Sequence, residues 1–179
     1  MKQLFAIDPH DYDEADSVFK RPSARGIILR DDNIALVYSL REHYYKFPGG
    51  GIHDGEDQQA ALIREVQEET GLIVIPESIT PFGSVMRRQK SNIVPHTVFE
   101  QENFYYFCRA EATVTQQHLD DYEKDAGFTL LYVSLDEAIR VNEAYRSEDF
   151  FDEIMIQREA KVLRMIRDRL KQDGFPAEG

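Results

Sequence analysis

Residues 50–72 read GGIHDGEDQQAALIREVQEETGL, and this stretch decides the reading of the whole chain. It opens on glycines, which permit tight backbone turns. It continues with Asp57, a side chain suited to cap the helix that the following residues predict from about Gln58 to Thr70. Leu62, Ile63 and Val66 give that helix an apolar stripe, and Gly71 is a natural stop just past its end. Glu65, Glu68 and Glu69 stand at i, i+3 and i+4, so they share one face. Like charges at that spacing destabilise a helix by about 0.2–0.5 kcal/mol per pair. With Glu56 near the helix start, the arrangement asks for a counter-charge. Arg64, at i,i+4 from Glu68, supplies one positive partner, and a hard divalent cation would supply more. Oxygen-only donors point to Mg2+, with Mn2+ as the alternative, rather than zinc. On the glutamates alone, an ordinary acidic helix face is the competing reading. The glycines at 49–51 weigh against it, because a tight turn can aim a carbonyl at a metal held by the helix.

Outward from this segment the chain is ordinary in size and composition. Its 179 residues predict one domain, and 42% hydrophobic with 30% charged residues fits a globular one. No apolar run approaches the roughly 20 residues of a membrane helix. The first sixteen residues are too acidic and broken for a signal peptide. The single Cys108 excludes an internal disulfide and multi-cysteine zinc, and fits a cytoplasmic location. A net charge of −12 disfavours duplex DNA or RNA as a partner. It leaves room for a small phosphorylated substrate approached through a cation.

Residues 1–20 predict a short strand and an ill-ordered lead. ARGIIL (24–29) and IALVYS (34–39) flank the turn-rich Arg30-Asp31-Asp32-Asn33 and read as a β-hairpin. EHYYKF, ITPFGSVMRR, TVFEQENFYYFCRAEATV and FTLLYVSL are further strand candidates. Short and long helices are expected at Asp136–Val141 and Glu148–Lys171. Strands and helices mix without a regular βαβ rhythm, which argues for a mixed-sheet α/β sandwich.

The 50–72 stretch resembles the Nudix box, G-x5-E-x7-R-E-U-x-E-E-x-G-U with U aliphatic. Gly50, Glu56, Arg64-Glu65-Val66, Glu68-Glu69 and Gly71-Leu72 fill every specified position. At ordinary residue frequencies a chance match is on the order of one in 10^9 per starting position. The preceding hairpin, the FPGG entry and the later LDEAI resemble the rest of the domain, giving an expected lead at 1–19, a Nudix domain at 20–145 and a C-terminal helix and tail at 146–179.

The resemblance implies an α/β/α sandwich with a mixed sheet, a loop-helix-loop motif and hydrolysis of a nucleoside diphosphate linked to another moiety. It implies Glu65, Glu68 and Glu69 as metal ligands, together with the Gly50 carbonyl. Arg64 would orient the glutamates, and Glu56 would hold Arg64. A pyrophosphate resists attack because its anionic oxygens repel nucleophiles, and the family's divalent ions offset that charge and activate water. A carboxylate then takes the proton. Glu65 and Glu68 are the box candidates for this base. Glu123, with Asp120 and Asp121 beside it, is the loop candidate, against a plain solvated acidic loop. Arg87, Arg88 and Lys90 form a basic cluster that could hold a distal phosphate or lie as a surface patch.

Tyr44, Tyr45 and Tyr105 could stack a base, although aromatic residues on strands more often fill the core. Cys108 reads as a buried structural thiol, and the histidines at 10, 43, 53, 96 and 118 receive no role. A catalytically silent nucleotide sensor is the rival reading, but no box glutamate is lost. The proline, tyrosine and SQPWPFPxS signatures that separate subfamilies beyond the box are absent, the region reading Gly83-Ser84-Val85-Met86-Arg87. Nucleoside triphosphates, nucleotide sugars and ADP-ribose therefore all stand as substrates. The apolar side of the C-terminal helix and the aromatic TVFEQENFYYF strand raise a homodimer.

Overall fold

The structure, a computed structural model, describes residues 1–173. The part of the expected C-terminal tail at 174–179 lies outside the described residues. The strands run β1 (Gln3–Ile7), β2 (Ser17–Lys20), β3 (Ser23–Ile27), β4 (Leu29–Arg30), β5 (Asn33–Ser39), β6 (Tyr45–Lys46) and β7 (Gly49–Gly51). Helix α1 (Gln58–Thr70) follows, then β8 (Leu72–Val74), β9 (Thr80–Lys90), β10 (Thr97–Phe107) and β11 (Ala110–Val114). The later described elements are α2 (Asp121–Asp125), β12 (Phe128–Ser134), α3 (Leu135–Ala144) and α4 (Phe150–Asp173). Two compact units result, residues 1–28 with 48–119, and residues 29–47 with the described residues from 120 on.

In the first unit, a mixed sheet runs β1-β9-β10-β3-β7, and β2 also pairs with β10. β9 and β10 are antiparallel, while β1, β2 and β3 join them in parallel. The N-terminal residues are thus two sheet strands, where the sequence predicted one and a loose lead. α1 packs on β3 and β7, its apolar side against β3. Leu62 and Val66 are fully buried there, and a Cβ on Gly26 would come within 3.2 Å of Val66. Small residues on β3 therefore let the helix approach the sheet closely.

The same requirement divides the expected hairpin. Residues 23–27 join the sheet between β10 and β7, beneath α1, and only Leu29↔Ile34 and Arg30↔Asn33 pair across the turn. Asp31 takes the left-handed conformation at that turn, with φ 52°. The long aromatic stretch likewise divides after Phe107: β10 pairs with β9 and β3, whereas β11 pairs with β8.

In the second unit, β12, β5 and β4 form an antiparallel sheet with β6 also on β5. α3 packs on α4 and on β12. The apolar side of α4 that raised a homodimer is already covered: Ile154, Ile156, Val162, Leu163, Ile166 and Leu170 are buried. The side chain of Glu159 is buried as well. It accepts from the backbone N–H of Phe47 at 2.7 Å and pairs with Arg158, so both charges are compensated. No described helix is long and apolar enough to cross a membrane.

Candidate active site

The site is built on the N-terminal approach, the body and the end of α1. Asp57 caps the helix as expected, its carboxylate accepting from the backbone N–H of Gln59 at 2.9 Å and of Ala60 at 3.1 Å. Gly71 ends it with φ 74°, its N–H returning to the Gln67 carbonyl.

Arg64 is the hub. Its Nε and Nη2 donate to the two oxygens of Glu56 at 2.8 Å each, and Nη2 also donates to the Gly51 carbonyl at 3.1 Å. Nη1 donates to Glu65 at 2.6 Å and to Glu68 at 3.3 Å. One guanidinium thus ties the loop before the helix to two of its glutamates. Arg64, its hydrogen bonds to Glu56 first and then a backbone bond from His53, holds the Glu56 carboxyl down at about 2. Its hydrogen bonds to Glu56, and after it to Glu65, raise the Arg64 pKa further.

The glycines serve two close approaches. Gly49 has φ +131°, and a Cβ there would lie 2.1 Å from the Ala24 carbonyl oxygen. Its N–H donates to the carboxylate of Glu69 at 2.9 Å, and Arg25 donates to its carbonyl. A Cβ on Gly50 would lie 2.1 Å from Oε2 of Glu65. The Glu65 carboxylate rests directly on the Gly50 backbone.

The three box glutamates have unlike surroundings. Glu69 is buried at 2% exposure, whereas the side chain of Glu68 is 45% exposed. Glu65 lies between them at 17% and is gripped more tightly by Arg64. Glu56, Glu65 and Glu68 set three carboxylates on one guanidinium, an excess of negative charge that a cation would offset. The donors are all oxygen, and the Gly50 backbone abuts one of them, so the residues fit a hard divalent ion. No three acidic, His or Cys side chains among the described residues converge closely enough to cage an ion.

Beside this cluster lies an open groove of about 560 Å³, lined by Ala60, Ile63, Arg64, Gln67, Glu68 and His118. His118 received no role from the sequence, because nothing in its spacing announces that the 115–118 segment returns to α1. The Arg64 contact to Gly51 and the Glu69 contact to Gly49 were equally invisible, since both depend on where β7 passes the helix.

Other sequence candidates lie on other elements. Arg87 and Arg88 are consecutive on β9, so they face opposite sides of the sheet. Arg87 is buried, donating to Gln89 at 2.6 Å and lying over the Phe99 ring. Arg88 pairs with Glu100 and lies over Tyr12. Strand alternation thus sets Arg88 and Lys90 on one side of β9 and Arg87 on the other. Glu123 belongs to the second unit, where it closes a capping box: its carboxylate accepts from the Asp120 N–H, and Asp120 accepts from the Glu123 N–H. Asp121 opens the helix they cap and is fully exposed. Tyr44, Tyr45 and Tyr105 are buried in the core. Cys108 is buried too, which pushes its thiol up to about 12 and makes it inert.

Comparisons with known proteins agree with this architecture. Residues 20–154 match the NUDIX domain. An RNA pyrophosphohydrolase of Acinetobacter baylyi is 44% identical over 66 residues, which is 36% of this chain and 38% of that protein, so the chain spans little more than a third of this curated relative. A NUDIX hydrolase structure from Nitrosomonas europaea superposes with a TM-score of 0.53 at 19% identity, covering 78% of this chain and 89% of the other. The structure of an ADP compounds hydrolase gives 0.55 at 18% identity, over 86% of this chain and 75% of the other. Likeness at such identity establishes the α/β fold with its mixed sheet, and the domain match establishes the kinship: the chain belongs to the Nudix family.

Proposed function

We propose that the chain is a pyrophosphohydrolase, cleaving the phosphoric anhydride of a nucleoside diphosphate linked to another moiety with the help of Mg2+ or Mn2+. The observation that carries this reading is the gathering of Glu56, Glu65 and Glu68 on Arg64, with Glu65 seated on Gly50. Glu65, Glu68, Glu69 and the Gly50 carbonyl would hold the ion. A divalent cation bound there offsets the negative charge of the pyrophosphate and acidifies water. Arg64, fixed through Glu56, keeps Glu65 and Glu68 in register on the helix. Glu68 is the most exposed of the three box glutamates and has a long contact to Arg64, so its carboxylate is best placed to accept the proton of the attacking water. Glu123 is the alternative base, at the cost of breaking its capping box.

The substrate class follows from charge. With −12 overall, the chain favours small nucleotides over long polyanions. Nucleoside triphosphates, nucleotide sugars and ADP-ribose form the panel, and the name of the Acinetobacter relative adds an RNA pyrophosphate to it. We place the hydrolase domain at 20–145, with 146–179 as its C-terminal extension, and the protein in the cytoplasm. The exposed Val18, Phe19, Ile93 and Val94 are the surface we assign to a homodimer, since most of the α4 apolar side is buried. The deciding experiment is hydrolysis of the panel with Mg2+, with Mn2+ and with excess chelator. Turnover that requires the cation supports the enzyme, and turnover persisting in chelator refutes it. Nucleotide binding without turnover favours the silent sensor.

A further inference from the structure

Helix α1 ends in an electrostatically awkward way. Its last turn carries Glu68 and Glu69 and no basic residue, so carboxylates stand at the end where the helix already concentrates negative charge. The last carbonyls of a helix have no partner within it, and Glu69, Thr70 and Gly71 are buried here. Buried carbonyls need donors.

Donors arrive from more than forty residues away. β8 starts at Leu72, directly after the helix, and pairs with β11 so that Val114 stands opposite Leu72. The chain leaving β11 is thereby delivered to the helix end. Thr115 donates to the Gly71 carbonyl through its N–H at 2.7 Å and its hydroxyl at 3.0 Å. The side-chain amide of Gln117 donates to the Glu69 carbonyl at 2.6 Å, and the His118 N–H donates to the Glu68 carbonyl at 2.7 Å.

We infer that residues 115–118 form a strap that positions the metal-binding end of α1, with Gln117 as its positioning residue. Two of the four bonds fall on the backbone of Glu68 and Glu69, the residues whose carboxylates are the proposed ligands. Fixing those peptides fixes where the two carboxylates can reach. The bonds also place donor N–H groups against the negative helix end, easing the crowding that Glu68 and Glu69 create there. Gln117 acts through the helix and touches no substrate. The inference rests on the divalent-cation reading above for its functional half, and on the hydrogen bonds alone for its structural half.

The test compares Gln117→Ala, Gln117→Glu and Gln117→Lys in the full chain. Glu keeps the shape of Gln and removes the donor, whereas Lys restores a donor with a charge that suits a helix C-terminus. Two readouts are taken without substrate: Mn2+ affinity from the free-ion electron paramagnetic resonance signal, and amide hydrogen exchange across Glu68 to Leu72 in chelator. The Ala and Glu variants should bind Mn2+ about ten-fold more weakly and exchange faster at these amides, and Lys should recover both. Faster exchange with unchanged Mn2+ affinity would make Gln117 a mere cap and overturn the positioning role. Unchanged exchange in the Glu variant, or a Lys variant as weak as Ala, would overturn the strap itself. Wild-type protein that binds no Mn2+ would refute the cation reading instead, leaving the exchange pattern to judge the strap.

Discussion

Replacing Gly50 by alanine tests the closest contact in the site. The added Cβ would lie 2.1 Å from Oε2 of Glu65, 2.4 Å from its Cδ and 2.9 Å from Oε1. Comfortable carbon contacts begin near 3.5 Å, so the carboxylate must retreat by on the order of 1 Å. It is not free to do so without loss, because it accepts from Arg64 at 2.6 Å. A hydrogen bond to a charged group contributes about 1.5–3 kcal/mol. Arg64 keeps Glu56, Gly51 and Glu68, and Glu65 regains some water, so the net cost should be about 1–2 kcal/mol. For a chain of this length that lowers the unfolding temperature by roughly 2–8 °C. Displacing a ligand by about 1 Å should cost about 100-fold in turnover. Gly51→Ala is the control: its Cβ meets Arg21 Nε at an ordinary 3.5 Å, and stability should change by less than about 0.5 kcal/mol. Thermal unfolding in chelator and turnover with Mg2+ are measured on both. If Gly50→Ala behaves like Gly51→Ala in both assays, Glu65 does not rest on Gly50 and the reasoning fails.

Other perturbations separate folding from function. Leu62→Ala should cost about 2–5 kcal/mol in denaturant unfolding, because Leu62 is fully buried against β3, yet leave the Mg2+ requirement intact. Glu69→Gln keeps an acceptor for the Gly49 N–H while removing a charge from the crowded helix end, so unfolding in chelator should barely change while Mn2+ affinity falls at least about ten-fold; melting well below wild type in chelator would make that carboxylate structural. Glu56 is held at about 2 against 4.5 for a free carboxyl, so its stabilising contribution is complete above pH 4.5 and disappears as the pH falls towards 2. Glu56→Gln should therefore flatten the acid side of the unfolding-temperature profile, and parallel wild-type and variant profiles between pH 5 and 2 would contradict this. Sedimentation at micromolar concentrations should give twice the 20.8 kDa chain mass if the exposed Val18, Phe19, Ile93 and Val94 seat a second copy, and the chain mass if they do not.

Much of the site was legible because it is local. The bounds of α1, its Asp57 cap and its Gly71 stop depend on residues within a turn or two of each other. The Arg64 hub was foreseeable for the same reason, since Glu65 and Glu68 lie one and four residues away. Where expectation and structure part, distance along the chain is the cause. Residues 23–27 leave the hairpin because their small side chains are needed beneath α1. The α4 side that looked available for a second copy is buried within this one.

The box sequence by itself determined a capped helix with acidic residues on one face and an arginine among them, since helical spacing and capping are set by neighbours. Tertiary structure alone decided how those acids differ. β7, passing close to β3, brings Gly49 to Glu69 and Gly50 to Glu65. Glu69 is buried while Glu68 stays open to water. The pairing of β8 with β11 returns residues 115–118 to the helix end. Each of these contacts joins segments 15 or more residues apart, and their partners are fixed by which strands pair and how closely the backbones pack, neither of which the spacing of residues within one segment encodes.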